Sequence, residues 1–375
     1  MNDTPRPTAS SPRVEVVVAV HSETRPVERA VASALATRAP VRVTVVAHNL
    51  DPAAVRRRLG DLQDDHRVRI VELADGIGSP AGPFNRGIEL ATGEFVSIIG
   101  SDDSFAPGAI DAWLRVADEG GADVVIAPIR RTSGGWGTMP RVRPGRVHHL
   151  DGDRDRLFER AAPLGLFRRS TFGALRFTAG LPRGEDQPFG LHLWFSGASV
   201  SFDPAAPAYV EHGDQADRIT HEPRPLRDDL MFVDAIEADA ALSALPLASR
   251  RAIAARLARA QLVGGIAARA TEAGIGEADR EVAAKTVRRL ERWAPGFRKI
   301  LANRDARVLR ICLDPAADPA ALLAALANRG SFRSPAALVP SSLLRLLHRH
   351  APVRSLIAAR LVTRRLARAE ASRAG

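Results

Sequence analysis

Between residues 14 and 127 the chain alternates short β-branched runs with segments of helical period, and this alternation restricts its fold more than any other feature. The run 14–20 carries one charged interruption, Glu15, which suits a strand buried on both faces. Val27, Ala30, Val31, Ala34 and Leu35 follow at helical spacing, and a second β-branched run covers 41–47, completing a β-α-β unit. The pattern continues with a helix over 52–62, a strand over 68–73, a helix over 84–91, a strand over 94–99, a helix over 107–117 and a strand over 123–127. It predicts an α/β architecture with a mainly parallel sheet. Residues 130–150 break the rhythm with Gly134, Gly135, Gly137, Pro140, Pro144 and Gly145, as expected of a long functional loop or a divergent hairpin. Beyond about residue 225 the strand signals fade. Ala/Leu/Arg segments punctuated by Pro and Gly predict a helical second domain over 226–375, after a lead over 1–12 and a first domain over 13–225.

At 375 residues the chain is long enough for two domains, and 45% hydrophobic with 26% charged residues excludes wholesale disorder. No stretch reaches the ~20 apolar residues of a membrane span, and residues 1–13 are polar, so the expected compartment is the cytoplasm. The lone cysteine, Cys312, excludes an internal disulfide and a thiolate-rich zinc site. The net charge of +10 is concentrated at the C-terminal end, where residues 340–375 hold eight arginines against Glu370 and the rest of the chain is nearly balanced. Two basic helices, over 341–349 and 353–369, are expected there, separated by Pro352. They could meet an anionic membrane surface or a polyanion, or pack on the first domain with solvated arginines. No nucleic-acid partner is expected, because no aromatic residue follows Phe332 to interleave with these arginines.

In open α/β sheets ligands bind where strands end. The run 95–99 leads into Gly100-Ser101-Asp102-Asp103-Ser104, then Pro107-Gly108. Adjacent acids at a strand's end suit a hard divalent cation, with one carboxylate facing the ion and the other capping the next helix; they also suit a plain turn and cap. Gly184-Glu185-Asp186 opens another helix, where first-turn acids serve either chemistry or the helix dipole. His212 follows a short strand ending near Glu211.

Together these segments resemble family 2 glycosyltransferases. The stretch from Val16 to Glu23 resembles the family's opening strand. Gly82 to Val96 is similar to its "ARNxGxxxAxGEYI" stretch, and Ser101-Asp102-Asp103 with Pro107-Gly108 to its "DSDDxxxPG". Leu166 to Ser170 is similar to "VFRRS", Glu185-Asp186 to its ED motif, and Tyr209 to Thr220 to its closing "YRxHxxSIT". Three departures stand out. Ala19-Val20-His21-Ser22 replaces the usual Pro-Val-Tyr-Asn, His48-Asn49-Leu50-Asp51 replaces Asp-Asp-Gly-Ser, and Gly100 takes the place of the metal motif's first acid.

The resemblance implies a GT-A fold, a Rossmann-like mainly parallel sheet with a C-terminal helical domain, and a nucleotide-diphospho-sugar donor with a saccharide or polymer acceptor. It places donor binding on His21, Glu23, Asn85, Arg86, Ser101 and Asp103, and Mg²⁺ or Mn²⁺ on Asp102 with His212. It makes Asp186, beside Glu185, the base that takes the acceptor's proton, in an inverting single displacement. The family's membrane-embedded processive members carry Gln-x-x-Arg-Trp, whereas Arg289 stands in the Gln position before Arg292-Trp293 here. The expected activity is therefore non-processive, in cell-surface polysaccharide or glycoconjugate synthesis. A catalytically weak nucleotide-sugar-binding or scaffold protein of the same fold is the competing expectation, motivated by Gly100 and His48-Asn49.

Overall fold

The computed structural model describes residues 11–214, 224–271, 273–327, 329 and 334–374. Most of the expected lead, the 215–220 part of the closing motif and Phe332 lie outside these residues.

Seven strands form the main sheet: β1 (Val14–Val20), β2 (Val41–His48), β3 (Val68–Leu73), β4 (Phe95–Gly100), β6 (Val124–Ile126), β8 (Gly165–Arg168) and β9 (Val200–Ser201), in the order β3-β2-β1-β4-β8-β6-β9. A second sheet sets β10 (Tyr209–Glu211) between β5 (Ser104–Phe105) and β7 (Ile129–Arg131). β1 is parallel to both β2 and β4, and β2 to β3, as right-handed crossover helices require. The alternation in sequence therefore becomes the sheet. β8, which periodicity did not single out, is antiparallel to both β4 and β6, so the sheet is mostly rather than wholly parallel.

Along β1 the side chains alternate between two cores. Val14, Val16, Val18 and Val20 pack with the helices Val27–Leu35 and Ala109–Gly120, while Val17 packs with Ile88 and Val96 on the other face. Glu15 is fully buried yet satisfied: Thr44 Oγ1 donates at 2.6 Å, Arg69 pairs with it at 2.9 Å and the Thr92 amide donates at 3.1 Å. The helix Ala81–Leu90 lies close against the sheet at Gly87, where a Cβ would come within 2.1 Å of Val17 Cγ1.

Residues 130–150 combine both expected forms, a tight turn bridging Arg130 to Trp136 and then an irregular loop. The region beyond 225 is helical as expected, and its core takes in Phe158, Leu181 and Leu191 from the first half. The expected helix over 341–349 is instead a series of turns around the short Leu343–Arg345 helix, a correction with a plain cause. Leu343, Leu344 and Leu347 are largely exposed and find no core, and a short helix with no buried face is marginal. The second expected helix runs from Pro352 to Ala374, with Ser355, Val362 and Leu366 on its buried side. Val362 and Leu366 join the core that contains Phe167 and Phe189. Among the described residues no helix is long and apolar enough to cross a membrane.

Candidate active site

The parallel register that pairs Ala19 with Gly100 brings the loops after β1 and β4 side by side at the C-terminal edge of the sheet. They open into a cavity of about 460 Å³ whose wall includes His21, Arg25, Ser101, Asp102 and Asp103. Arg25 is buried and pairs with Asp102 Oδ2 at 2.5 Å. Arg29 donates to the Asp102 backbone carbonyl. Asp103 accepts from the Tyr209 hydroxyl at 2.6 Å and from the His212 amide at 3.0 Å, and the same hydroxyl accepts the Gly100 amide at 3.1 Å. Burial pushes the Asp103 carboxyl up to about 6, with the Asp102 charge adding to it and the Tyr209 bond opposing it. His212 Nε2 lies 2.8 Å from Ser104 Oγ. Tyr209 on β10 thus ties Asp103 to the second sheet, while Arg25 and Arg29 hold Asp102.

His48 and Asn49 line the same cavity. Both are held by Asp75, whose Oδ1 is 2.8 Å from His48 Nε2 and accepts from Asn49 Nδ2 at 3.3 Å. An aspartate from the loop after β3 thus holds the residues at and just past the end of β2. Periodicity and motif spacing missed Asp75, because it lies 27 residues from His48 in sequence.

His21, Ser101, Asp102 and Asp103 come together at this cavity, whereas three other expected donor residues do not line it. Asn85 clamps Phe177, donating to its carbonyl at 2.9 Å and accepting its amide at 2.7 Å. Arg86 pairs with Glu89 one turn along its helix at 2.8 Å. Glu23 is exposed.

A second cavity, of about 510 Å³, holds Glu185 and Asp186, with Glu211 lining both it and the first. Asp186 opens the helix Asp186–Phe195, whose Phe189, Leu193 and Trp194 are buried and anchor it to the sheet. The preceding Gly184 has φ +80°, and a Cβ there would lie 2.5 Å from the Phe232 ring, so glycine is required to turn the chain into the acids. Burial and the neighbouring Asp186 charge push Glu185 up to about 8, and burial also raises Asp186. The fields of Arg256 and Arg160 oppose the rise at Asp186.

Asp102 offers carboxylate oxygens to a cation, one of them engaged by Arg25. Among the described residues no three His, Cys, Asp or Glu side chains converge as an ion cage. Asp102 could supply one carboxylate to a Mg²⁺, an ion that commonly takes one or two protein carboxylates and completes its shell from other oxygens.

Residues 15–178 match the model of the glycosyl transferase family 2. This segment is similar to a family 2 glycosyltransferase domain. The succinoglycan biosynthesis protein ExoO of Rhizobium meliloti (strain 1021) is 30% identical over 115 residues, 31% of this chain and 32% of that protein. The poly(ribitol-phosphate) beta-glucosyltransferase of Bacillus spizizenii is 22% identical over 136 residues, 36% of this chain and 21% of that one. The matches thus span a third or less of the length of these relatives. The crystal structure of S. aureus TarS 1-349 in complex with UDP-GlcNAc superposes with a TM-score of 0.67 over 86% of this chain and 93% of that one, at 14% identity. That likeness bears on the fold and extends past the glycosyltransferase domain into the helical region.

Tyr209 and Glu211 lie within the closing motif, which gives neither of them a role. Arg25 and Arg256 carry no sequence signal because each reaches its partner across a long separation, and nothing in the sequence marks Arg160. The matched segment supplies the strand-end loops of the first cavity, and Glu185 and Asp186 of the second come from the segment that follows it.

Proposed function

We propose that this chain transfers a sugar from a nucleotide-diphospho-sugar to a hydroxyl of a saccharide or polymer acceptor, with inversion, in the assembly of a cell-surface polysaccharide. The observation that carries the reading is the junction of two cavities at Glu211, with Asp102 and Asp103 on one side and Glu185 and Asp186 on the other. Donor and acceptor need such adjoining clefts to meet at one carbon. Asp186 removes the proton from the attacking hydroxyl, whose oxygen bonds to the anomeric carbon as the bond to the nucleoside diphosphate breaks. The Arg256 and Arg160 fields favour its ionised form, while Glu185 holds a proton near neutrality. No second nucleophile is required, so a single displacement with inversion follows.

Asp102, with His212 just past β10, would hold a Mg²⁺ or Mn²⁺, which when bound would neutralise charge on the departing diphosphate. Arg25 fixes the Asp102 carboxylate, and His48 and Asn49, held by Asp75, line the donor cavity. The exposed leucines near 343–347, beside Arg345 and Arg349, suit contact with an anionic membrane surface or polyanion at the cytoplasmic face.

Asp186→Asn should lower transfer by at least about a hundredfold while nucleotide-sugar binding, followed by calorimetry, survives. Turnover near the native rate would remove Asp186 from the chemistry. Retained donor binding without transfer or donor hydrolysis in the native chain would instead favour the binding-protein reading.

A further inference from the structure

The second cavity contains more arginine than its acids can neutralise. Glu159 pairs with Arg141 at 3.0 Å and Arg259 at 2.6 Å, Asp229 with Arg183 at 3.1 Å, and Glu211 with Arg131 at 2.9 Å. Two guanidinium groups on the same wall, Arg160 and Arg256, have no carboxylate within salt-bridge distance among the described residues. Arg160 is 2% exposed. Its Nε donates to the Ala162 carbonyl and its Nη1 to that of Thr138, both at 2.9 Å, and its Nη2 has no partner. Arg256 is 7% exposed and donates to the neutral Gln187 Oε1.

A buried cation without a counter-ion loses its hydration with little return. Burial accordingly lowers both guanidinium groups, Arg160 to about 10, which leaves them charged at neutral pH. Glu211 and Asp186 contribute favourable fields to Arg160, and Glu159 and Asp186 to Arg256, but none of these carboxylates bonds to either guanidinium group. A negatively charged group seated in the cavity would give Nη2 its missing acceptor and place a charge in direct contact with it.

We propose that Arg160 and Arg256 form an anion subsite in the acceptor cleft, which takes a phosphate or carboxylate group borne by the acceptor. This rests on the glycosyltransferase reading for the word acceptor, though not for the anion. Because the subsite shares its cavity with Asp186, the anionic group lies on the acceptor unit that carries the attacking hydroxyl or on its immediate neighbour. An arginine fork matches either oxyanion by paired N–H donation.

The test uses the full chain saturated with a nucleoside diphosphate, so that the donor cavity is filled. Inorganic phosphate, glycerol 3-phosphate, glucuronate and glucose are then titrated by calorimetry. Phosphate or glucuronate should bind where glucose does not, and the preference between glycerol 3-phosphate and glucuronate tells which anion the acceptor carries. Arg160→Gln and Arg256→Gln should each weaken anion binding by at least about tenfold, the value of one charge-assisted hydrogen bond. Gln261→Glu, which adds a negative charge to the cavity wall and leaves both buried guanidinium groups in place, should weaken it as well, and it serves if either arginine variant fails to fold. Equal binding of glucose and anions, or anion affinity unchanged in Gln261→Glu, would overturn the subsite. Absence of any donor turnover with anion binding intact would instead count against the glycosyltransferase reading alone.

Discussion

Glu185 and Asp186 share one cleft, so neither carboxyl titrates alone. The pair keeps a proton at neutral pH, and Arg256 and Arg160 bias the remaining charge toward Asp186. Glu185 is the protonated member of the pair where the Asp186 base ionises, so Glu185→Gln removes no charge from beside the base and the acid limb of the kcat/KM profile should stay in place. A limb that moves to lower pH by about one unit would show that Glu185 carries charge there. The folded-state value of Glu185, about 8, stands above its ordinary 4.5, so its contribution is full below 4.5 and is lost as pH rises through 8. The native chain should therefore lose stability relative to Glu185→Gln over that window.

The C-terminal helix shows how one element can carry two characters. Its buried side, Ser355, Val362 and Leu366, is spaced for packing, while Arg354, Arg360, Arg364 and Arg368 remain exposed. The Arg130 ion pair with Glu370 adds a second attachment near its end. Burying Val362 and Leu366 contributes about 2–3 kcal/mol each. Deleting 352–375 should lower the melting temperature by several degrees, as followed by circular dichroism. A truncated chain that melts like the native one would make the helix an appendage.

At the scale of the whole molecule, Glu159 joins three remote parts of the chain. It sits in the short helix Leu157–Glu159 and pairs with Arg141 of the loop after β7 and Arg259 of the helical region. Burial alone would raise its carboxyl, but Arg141, Arg259 and Arg256 outweigh burial and hold it at about 2. Its stabilising contribution is therefore complete above the ordinary 4.5 and disappears as pH falls through 2. Glu159→Gln should cost about 3–5 kcal/mol at neutral pH, because the partly buried Arg141 and Arg259 guanidinium groups lose their shared partner. Denaturant titrations at descending pH should show the gap closing below 4.5, and a constant gap would separate the loss from the charge.

Much of this protein follows from local pattern. Strand and helix periods are properties of neighbouring residues, so β1 to β4, β6 and the helices between them were legible from Val14 to Ala127, and the acids at the strand ends could be placed with them. The turn chemistry of Gly100-Ser101-Asp102-Asp103 and the glycine before Glu185 are local in the same way. The antiparallel insertion of β8 was not legible, because a four-residue strand has too little period to declare its direction, and its neighbours are chosen by packing. Nor were the partners of the acids. Asp75 reaches His48 across 27 residues, Tyr209 reaches Asp103 across 106 and Arg259 reaches Glu159 across 100. Charge and burial act through space, so which groups neutralise one another, and which two arginines are left to meet an anion, was decided only when the tertiary structure closed around them.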